Sequence, residues 1–203
     1  AGDPCSAESC LIGGNIATNA GGNKAVRYGV TRDQVYAVEV VTPTGEIVEL
    51  GARLKKKSTG YCLEQLIMGS EGTLGIITKA TLKLQPIPPY RFDLLAVFSD
   101  PERALDVVPK IMQAGINPTS VEYMDNSYVR GTAEYLEFKG APHYENGIYV
   151  IITVETFSED ELDLKMEQLD ELCSAAGAVD VLEADERIWD MRRNCQESVR
   201  PVS

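Results

Sequence analysis

Two glycine-rich stretches hold the residues of this 203-residue chain whose types and spacing could support chemistry. They are residues 12–22 (IGGNIATNAGG) and 68–75 (MGSEGTLG). Runs of small residues expose consecutive backbone N–H groups that can line a concave surface for a diphosphate. Neither stretch has the Gly-x-x-x-x-Gly-Lys-Ser/Thr or Gly-x-Gly-x-x-Gly spacing of the common nucleotide loops. Two interpretations remain: a site for a nucleotide-type ligand, or tight turns in a β-rich domain.

A second candidate is Arg192, in the last helical segment of the chain. At about 100° per residue, Arg192 lies only about 40° from Ile188 around the helix. Cys195 and Val199 fall on the same apolar stripe. A desolvated guanidinium needs an anionic partner or ligand. From periodicity alone, an internal salt bridge or a snorkelling side chain is the favoured explanation.

Histidine and cysteine usage points away from a metal site. The lone histidine, His143, lies in a polar loop, where we expect it to be exposed. The five cysteines are odd in number and scattered, which argues against a disulfide framework and for a reducing, cytoplasmic compartment. Cys5 and Cys10 have no further ligands nearby. We therefore predict no metal ligand, and no residue stands out as a catalytic base.

Charge and hydropathy exclude two classes of partner. A formal net charge of -12 would repel a nucleic acid backbone. No apolar run reaches the roughly 20 residues that a membrane-spanning helix needs, so we predict no membrane span. The basic run at 55–57 is expected to solvate a connection.

The first half of the chain has the pattern of a small β-rich domain. Residues 11–22 should be irregular because of their glycines. Residues 36–42 and 47–50 flank a turn-forming cluster and predict a hairpin. A strand from residue 76 to 84 should bury its even-numbered, apolar side. Three prolines at 86–89 then mark the predicted domain boundary.

The second half alternates strands and helices. Strands are predicted at 92–98, 119–124, 148–154 and 178–182, and helices after Asp100, at 126–138, after Ser158 and after Asp185. This order is that of a ferredoxin-like sheet with helices on one face, apart from the extra helix at 126–138. The predicted fold class is therefore α+β.

Four ordered strings resemble the FAD-linked oxidase family. They are residues 10–22 (CLIGGNIATNAGG), 28–33 (YGVTRD), 59–63 (TGYCL) and 69–78 (GSEGTLGIIT). The resemblance is to proteins with a vanillyl-alcohol oxidase or p-cresol methylhydroxylase (PCMH) type flavin domain. Within them, it is to the branch with the glycolate oxidase flavoprotein subunit and the D-lactate and D-2-hydroxyglutarate dehydrogenases. Cys62 departs from the family, which commonly has aspartate there.

The resemblance implies a domain plan and a set of site residues. Residues 1–89 would be the second, C-terminal part of a PCMH-type FAD-binding domain, and 90–203 the N-terminal part of a ferredoxin-like substrate or cap domain. Arg192, in the string Trp189-Asp190-Met191-Arg192, would bind a substrate carboxylate. The positions that would line FAD are Gly13, Gly14, Asn15, Ala17, Thr18, Gly21, Gly22, Gly69, Ser70, Glu71, Gly72, Gly75 and Ile77.

The implied activity is hydride transfer from a 2-hydroxy acid, of the glycolate or D-lactate type, to FAD. An iron–sulfur protein or another electron-acceptor subunit would be the partner. Because the chain begins at Ala1 and ends soon after a helix, we expect an internal piece of a longer protein that is inactive alone. Two alternatives stay open: an FAD-linked oxidase of an aryl alcohol or ether lipid, and a non-catalytic small-molecule-binding module.

Overall fold

The computed structural model describes residues 3–4, 6–138, 140–195 and 198, and the chain forms two compact units. Unit 1 comprises residues 1–87 and unit 2 comprises 88–203. The division falls within the proline-rich segment 86–89. Cys5 and Val199, which entered the sequence-based expectations, lie outside the described residues.

Unit 1 is a three-stranded antiparallel sheet with short helices. Its elements are α1 (Ile12–Thr18), α2 (Ala25–Tyr28), a 3-10 turn (Thr31–Gln34), β1 (Val35–Val41), β2 (Ile47–Gly51), α3 (Leu63–Ile67) and β3 (Ile76–Leu82). The strand order is β2-β1-β3. The predicted β1–β2 hairpin is present, and its turn closes with Gly45 N–H donating to Thr42 O at 2.9 Å.

Helix α1 corrects the expectation of an irregular backbone over residues 11–22. Its two glycines lower helix propensity, but Ile16 is buried against the sheet with Val38 and Val40. Tertiary packing of one face stabilises most short helices in proteins, and here it outweighs propensity. Asn19, in the left-handed conformation at φ 50°, ends the helix.

Strand β3 buries the opposite side from the one predicted. Ile77 packs against the core, whereas Ile76 is 67% exposed. The register explains this, because Ile77 pairs with the core residue Val40 of β1 and Ile76 pairs with Val41. Alternation alone predicts a strand with two faces but not which face meets the core, and apolar residues on both sides leave the choice to the register.

Unit 2 has the predicted ferredoxin-like topology. Its elements are β4 (Tyr90–Phe98), α4 (Pro101–Gln113), β5 (Ser120–Met124), α5 (Asn126–Tyr135), β6 (Ile148–Thr156), α6 (Glu159–Ala175), β7 (Asp180–Glu183) and α7 (Glu186–Asn194). The strand order is β5-β6-β4-β7, with every neighbouring pair antiparallel. The α+β fold class is therefore confirmed.

Helices cover both faces of this sheet, which corrects the expectation of helices on one face with a single exception. α4 and α6 pack on one side and α5 and α7 on the other. The reason lies in the central strands, since β6 is buried along its whole length and residues 94–98 of β4 are buried on both sides. A strand that is apolar on both sides requires cover on both faces.

Candidate functional site

The two glycine-rich stretches, residues 12–22 and 68–75, lie side by side in unit 1. Gly69 N–H donates to Ile16 O at 3.2 Å, and Glu71 N–H donates to Ala17 O at 3.0 Å. About fifty residues of chain separate the partners of each bond. The fold therefore joins the first and second predicted cofactor strings into one continuous backbone surface.

Arg32 connects the two stretches by hydrogen bonds to Asn19 and Met68. The backbone N–H of Arg32 donates to Asn19 Oδ1 at 2.9 Å, and its Nη2 donates to Met68 O at 3.3 Å. Its Nε is buried and has no acceptor among the described residues. Neither Asn19 nor Arg32 was predicted as a site residue. Arg32 lies in the string YGVTRD, one of the four that carry the family resemblance, and that membership was the available signal.

Gly69 is required by the close approach of the two stretches. It adopts φ +86°, where residues with a Cβ are strained. A Cβ there would lie 3.1 Å from Asn19 Cβ and 3.2 Å from Arg32 Nη2. Gly75 has a different task, because a Cβ on it would lie 2.6 Å from Val40 Cγ1. It permits the packing of β3 against β1.

Three glycines of the two glycine-rich stretches face open space. A Cβ placed on Gly13, Gly14 or Gly72 would meet no atom within 4 Å. Neither packing nor a clash within the chain accounts for glycine at Gly13 and Gly14, which have no unusual φ. Their backbone is open to the approach of a ligand.

The other predicted cofactor residues have internal roles. Asn15 Nδ2 donates to Cys10 Sγ at 3.3 Å, and Thr18 Oγ1 donates to Gly14 O at 2.9 Å. Within the backbone, Gly22 O accepts from Ala25 N and Ser70 N donates to Ile67 O. Gly21 lies beside Val30, and the Ile77 side chain packs against the core.

In unit 2, Arg192 is paired with Glu122. Its Nε and Nη2 donate to Glu122 Oε2 at 2.7 and 2.6 Å. The two side chains are only 20% and 14% exposed, so this pair is largely desolvated. Periodicity correctly indicated an anionic partner, and the structure supplies one from the chain itself. Glu122 was missed because it lies seventy residues away, although it is the one charged residue in β5.

The surroundings of Arg192 include an aromatic and a thiol group. Arg192 Nη1 lies 3.4 Å from Cys195 Sγ. Trp189, one turn earlier, is buried beneath Arg91, whose guanidinium carbon lies 5.8 Å from its ring. The Trp189 Nε1 donor is also buried and has no acceptor in the part of the chain that the structure describes. Arg192 belongs to unit 2, whereas the glycine-rich stretches belong to unit 1.

Among the residues that the structure describes, the remaining reactive side chains show no catalytic arrangement. His143 is exposed, as predicted, and its Nε2 lies 3.2 Å from Asp180 Oδ2. Burial raises the pKa of the Cys173 thiol to about 12, which keeps it protonated. No group of three or more metal-ligating side chains occurs among the described residues. The helices of the described segments are all too short or too polar to cross a membrane.

Comparison with known families identifies the fold's relatives. Residues 87–201 match the family model for the C-terminal domain of FAD-linked oxidases. This chain belongs to the FAD-linked oxidases. Residues 1–51 match an FAD binding domain model. The FAD-linked oxidase predicted from the four strings is thus confirmed.

Individual proteins agree with this family. The chain is 44% identical over 181 residues to a D-lactate dehydrogenase of Anaerostipes hadrus, a match of 86% of this chain and 38% of that protein. It is 38% identical over 179 residues to glycolate oxidase subunit GlcD of Bacillus subtilis (strain 168), covering 88% and 37%. This FAD-linked oxidase chain therefore spans about two fifths of the length of these curated relatives.

Solved structures support the same fold. An alkyldihydroxyacetonephosphate synthase matches 98% of this chain and 39% of its own, with a TM-score of 0.74 and 25% identity. Substrate-bound p-cresol methylhydroxylase matches 87% and 41%, with a TM-score of 0.63 and 18% identity, which shows the fold alone. The PCMH-type architecture predicted for the chain is confirmed.

FAD is the cofactor of this family, and unit 1 has features that fit it. Open backbone at Gly13, Gly14 and Gly72 gives an extended dinucleotide room to approach. The buried Arg32 Nε, a donor without an acceptor among the described residues, adds positive charge beneath the same surface. These observations suit an anionic ligand with a diphosphate.

Proposed function

We propose that this chain is part of a flavin-dependent oxidoreductase that oxidises a 2-hydroxy acid of the D-lactate or glycolate type by hydride transfer to FAD. Residues 1–89 would be the C-terminal part of its FAD-binding domain, and 90–203 the N-terminal part of its substrate domain. The observation that carries the proposal is the joining of the two glycine-rich stretches through Gly69 N–Ile16 O and Glu71 N–Ala17 O. The names of the two curated relatives support the substrate class.

The cofactor would be held by the backbone of both stretches, and when bound it supplies the hydride acceptor. The contacts would involve Gly13, Gly14, Asn15, Ala17, Thr18, Gly21, Gly22, Gly69, Ser70, Glu71, Gly72, Gly75 and Ile77. The open backbone at Gly13, Gly14 and Gly72 would donate N–H groups to phosphate and ring oxygens, and α1, Asn19 and Arg32 would hold this backbone at fixed positions. We assign no general base to this chain.

Arg192 would bind the substrate carboxylate. A guanidinium carries five N–H donors in a rigid plane, so it can bind the Glu122 carboxylate and a substrate carboxylate at the same time. Glu122 orients the plane through Nε and Nη2. Its negative charge also offsets part of the attraction for an incoming anion, so substrate binding would depend less on salt concentration than binding to an unpaired arginine.

Arg192→Met, introduced into the full-length protein of which this chain is proposed to be part, tests this role. The variant should raise KM for D-lactate at least about tenfold, because one charge-assisted contact is lost, and leave KM for uncharged lactamide unchanged. Arg187→Met is the control, since Arg187 is exposed on the same helix and stacks on Phe138. Equal losses on both substrates, or no loss, would refute the carboxylate role.

Titration with FAD, followed by flavin fluorescence, tests the cofactor site in the 203-residue chain. We expect binding that weakens in a variant with Gly13→Val and Gly14→Val, whose side chains would fill the open space. Thr44→Val is the control, because Thr44 is exposed in the hairpin turn outside the glycine-rich stretches and has no positive φ. Binding that the paired variant leaves unchanged would exclude this surface. We also expect no turnover of 2-hydroxy acid by this chain alone, and turnover would contradict that expectation.

A second candidate is an FAD-linked oxidase that acts on a different substrate, such as an ether lipid. The likeness to alkyldihydroxyacetonephosphate synthase, which extends over 98% of this chain, favours it. A substrate panel of D-lactate, L-lactate, glycolate, an aryl alcohol and a phosphorylated glycerone ether distinguishes the two.

An electron-acceptor subunit such as an iron–sulfur protein is the proposed partner, and copurification from the source cells tests it.

A further inference from the structure

A buried ion pair lies immediately before the second glycine-rich stretch. Lys57 Nζ donates to both carboxylate oxygens of Glu64, each at 2.9 Å. The Glu64 side chain is 7% exposed and that of Lys57 is 25% exposed. The basic run was expected only to solvate a connection, which fits the exposed Lys55 and Lys56 but not Lys57. Desolvating two charges is unfavourable unless the geometry is good, as it is here.

Glu64 belongs to a helix that cannot hold its own position. α3 has five residues and no side-chain hydrogen bond at its N-cap, Cys62. Isolated helices this short are unstable in water. Only Glu64 and Ile67 of α3 are buried, so these two side chains attach it to the rest of unit 1. Glu64 is the attachment at the N-terminal end.

Backbone bonds lead from Glu64 directly to the joined glycine-rich surface. Met68 N donates to Glu64 O at 3.1 Å, and Ser70 N donates to Ile67 O at 3.1 Å. The next bond, Gly69 N to Ile16 O, already joins the two stretches. A displacement of Glu64 would therefore move the second stretch away from the first.

We propose that Lys57 and Glu64 are positioning residues that keep residues 69–75 in contact with residues 12–22. The inference rests on the proposed function in giving that contact a role in cofactor binding. The pair also closes the loop 58–63, which contains the string TGYCL and the 89% exposed Tyr61. One ion pair thus sets both the conformation of this loop and the place of the stretch that follows it.

Hydrogen exchange of the 203-residue chain tests the positioning role without any cofactor. Lys57→Met should accelerate exchange of the Gly69 and Glu71 amides at least about tenfold while β1 amides exchange as in the wild type. Lys56→Met, an exposed neighbour, is the matched control and should change neither. The charge reversal Lys57→Glu with Glu64→Lys should restore slow exchange, because it rebuilds the pair.

The outcomes separate positioning from general stability. Unchanged exchange at Gly69 and Glu71, or acceleration that is uniform over unit 1, would overturn the proposal. Should Lys57→Met fail to fold, Glu64→Gln, which keeps the side-chain shape, replaces it under the same criteria. The Kd for FAD should rise only to the extent that the open form of residues 69–75 becomes populated, which tenfold faster exchange does not require. Failure of the wild-type chain to bind FAD would exclude cofactor binding by these 203 residues alone, and the exchange data would still decide the positioning role.

Discussion

Replacing Gly69 with alanine tests whether the approach of the two glycine-rich stretches is as close as the structure shows. Gly69 lies at φ +86°, and a Cβ on it would be 3.1 Å from Asn19 Cβ and 3.2 Å from Arg32 Nη2. Gly72 is a matched control. It has φ +81°, and a Cβ on it would meet nothing within 4 Å.

The two substitutions separate backbone strain from contact. Both place alanine in the left-handed region, which costs about 1 kcal/mol. Only Gly69→Ala also forces atoms apart, and overpacking of this kind adds about 1–2 kcal/mol. We therefore expect the free energy of unfolding to fall by about 1 kcal/mol in Gly72→Ala and by about 2–3 kcal/mol in Gly69→Ala.

Urea unfolding followed by far-UV circular dichroism measures both variants against the wild type. The difference between the two variants matters more than either value, because both replace glycine with alanine and the effect of that change on the denatured chain cancels between them. Equal losses in the two variants would refute the close approach. A larger loss in Gly72→Ala would mean that Gly72, and not Gly69, lies in the crowded position.

Three further predictions concern ionisable side chains. Glu122→Gln should lower the free energy of unfolding by about 1–3 kcal/mol, because the largely buried charge of Arg192 loses the Glu122 carboxylate. Adding Arg192→Met should recover part of this loss. Thermal unfolding measures both variants, and losses that simply add would contradict the pairing. Iodoacetamide at pH 8 should label the exposed Cys62 in the native protein and should label Cys173 only after urea unfolds the chain, because burial raises the pKa of the Cys173 thiol to about 12. Mass spectrometry identifies the labelled residues. Label on Cys173 in the native protein would contradict this prediction. Hydrogen bonds from Ser127 and the backbone lower the pKa of Asp125 below its ordinary value of 3.8, so the Asp125 carboxylate stabilises the fold above pH 3.8, and this stabilisation is lost as the pH falls through the lower folded-state pKa. The difference in free energy of unfolding between wild type and Asp125→Ala, about 1 kcal/mol at pH 7, should therefore shrink in urea titrations towards pH 2. A difference that stays constant with pH would refute this.

Signals that depend on neighbouring residues predicted much of this fold. Helices were predicted directly after Asp100, Ser158 and Asp185, and each of these side chains accepts a backbone N–H at the start of its helix. The β1–β2 hairpin and the order of elements in unit 2 followed from turn residues and periodicity. Such signals act over a few residues, so the chain reveals them before it folds. The family could be predicted from four short strings because each string is a local segment that can be recognised without the tertiary structure.

Long-range pairing decided what the sequence could not. The register with β1 determines that Ile77 faces inward, and packing of Ile16 makes a helix of a glycine-rich segment. Glycines have no side chain whose pattern could predict a partner, so the contact of residues 69–75 with residues 12–22 appears only in three dimensions.

The same reason applies to the charged residues. Periodicity predicted that Arg192 needs an anion, yet its partner Glu122 is seventy residues away on a separate strand. The apolar residues around a charged residue in the sequence indicate that the charge is buried and therefore needs a partner. Which residue meets that need depends on how the chain crosses the sheet, and only the tertiary structure determines that.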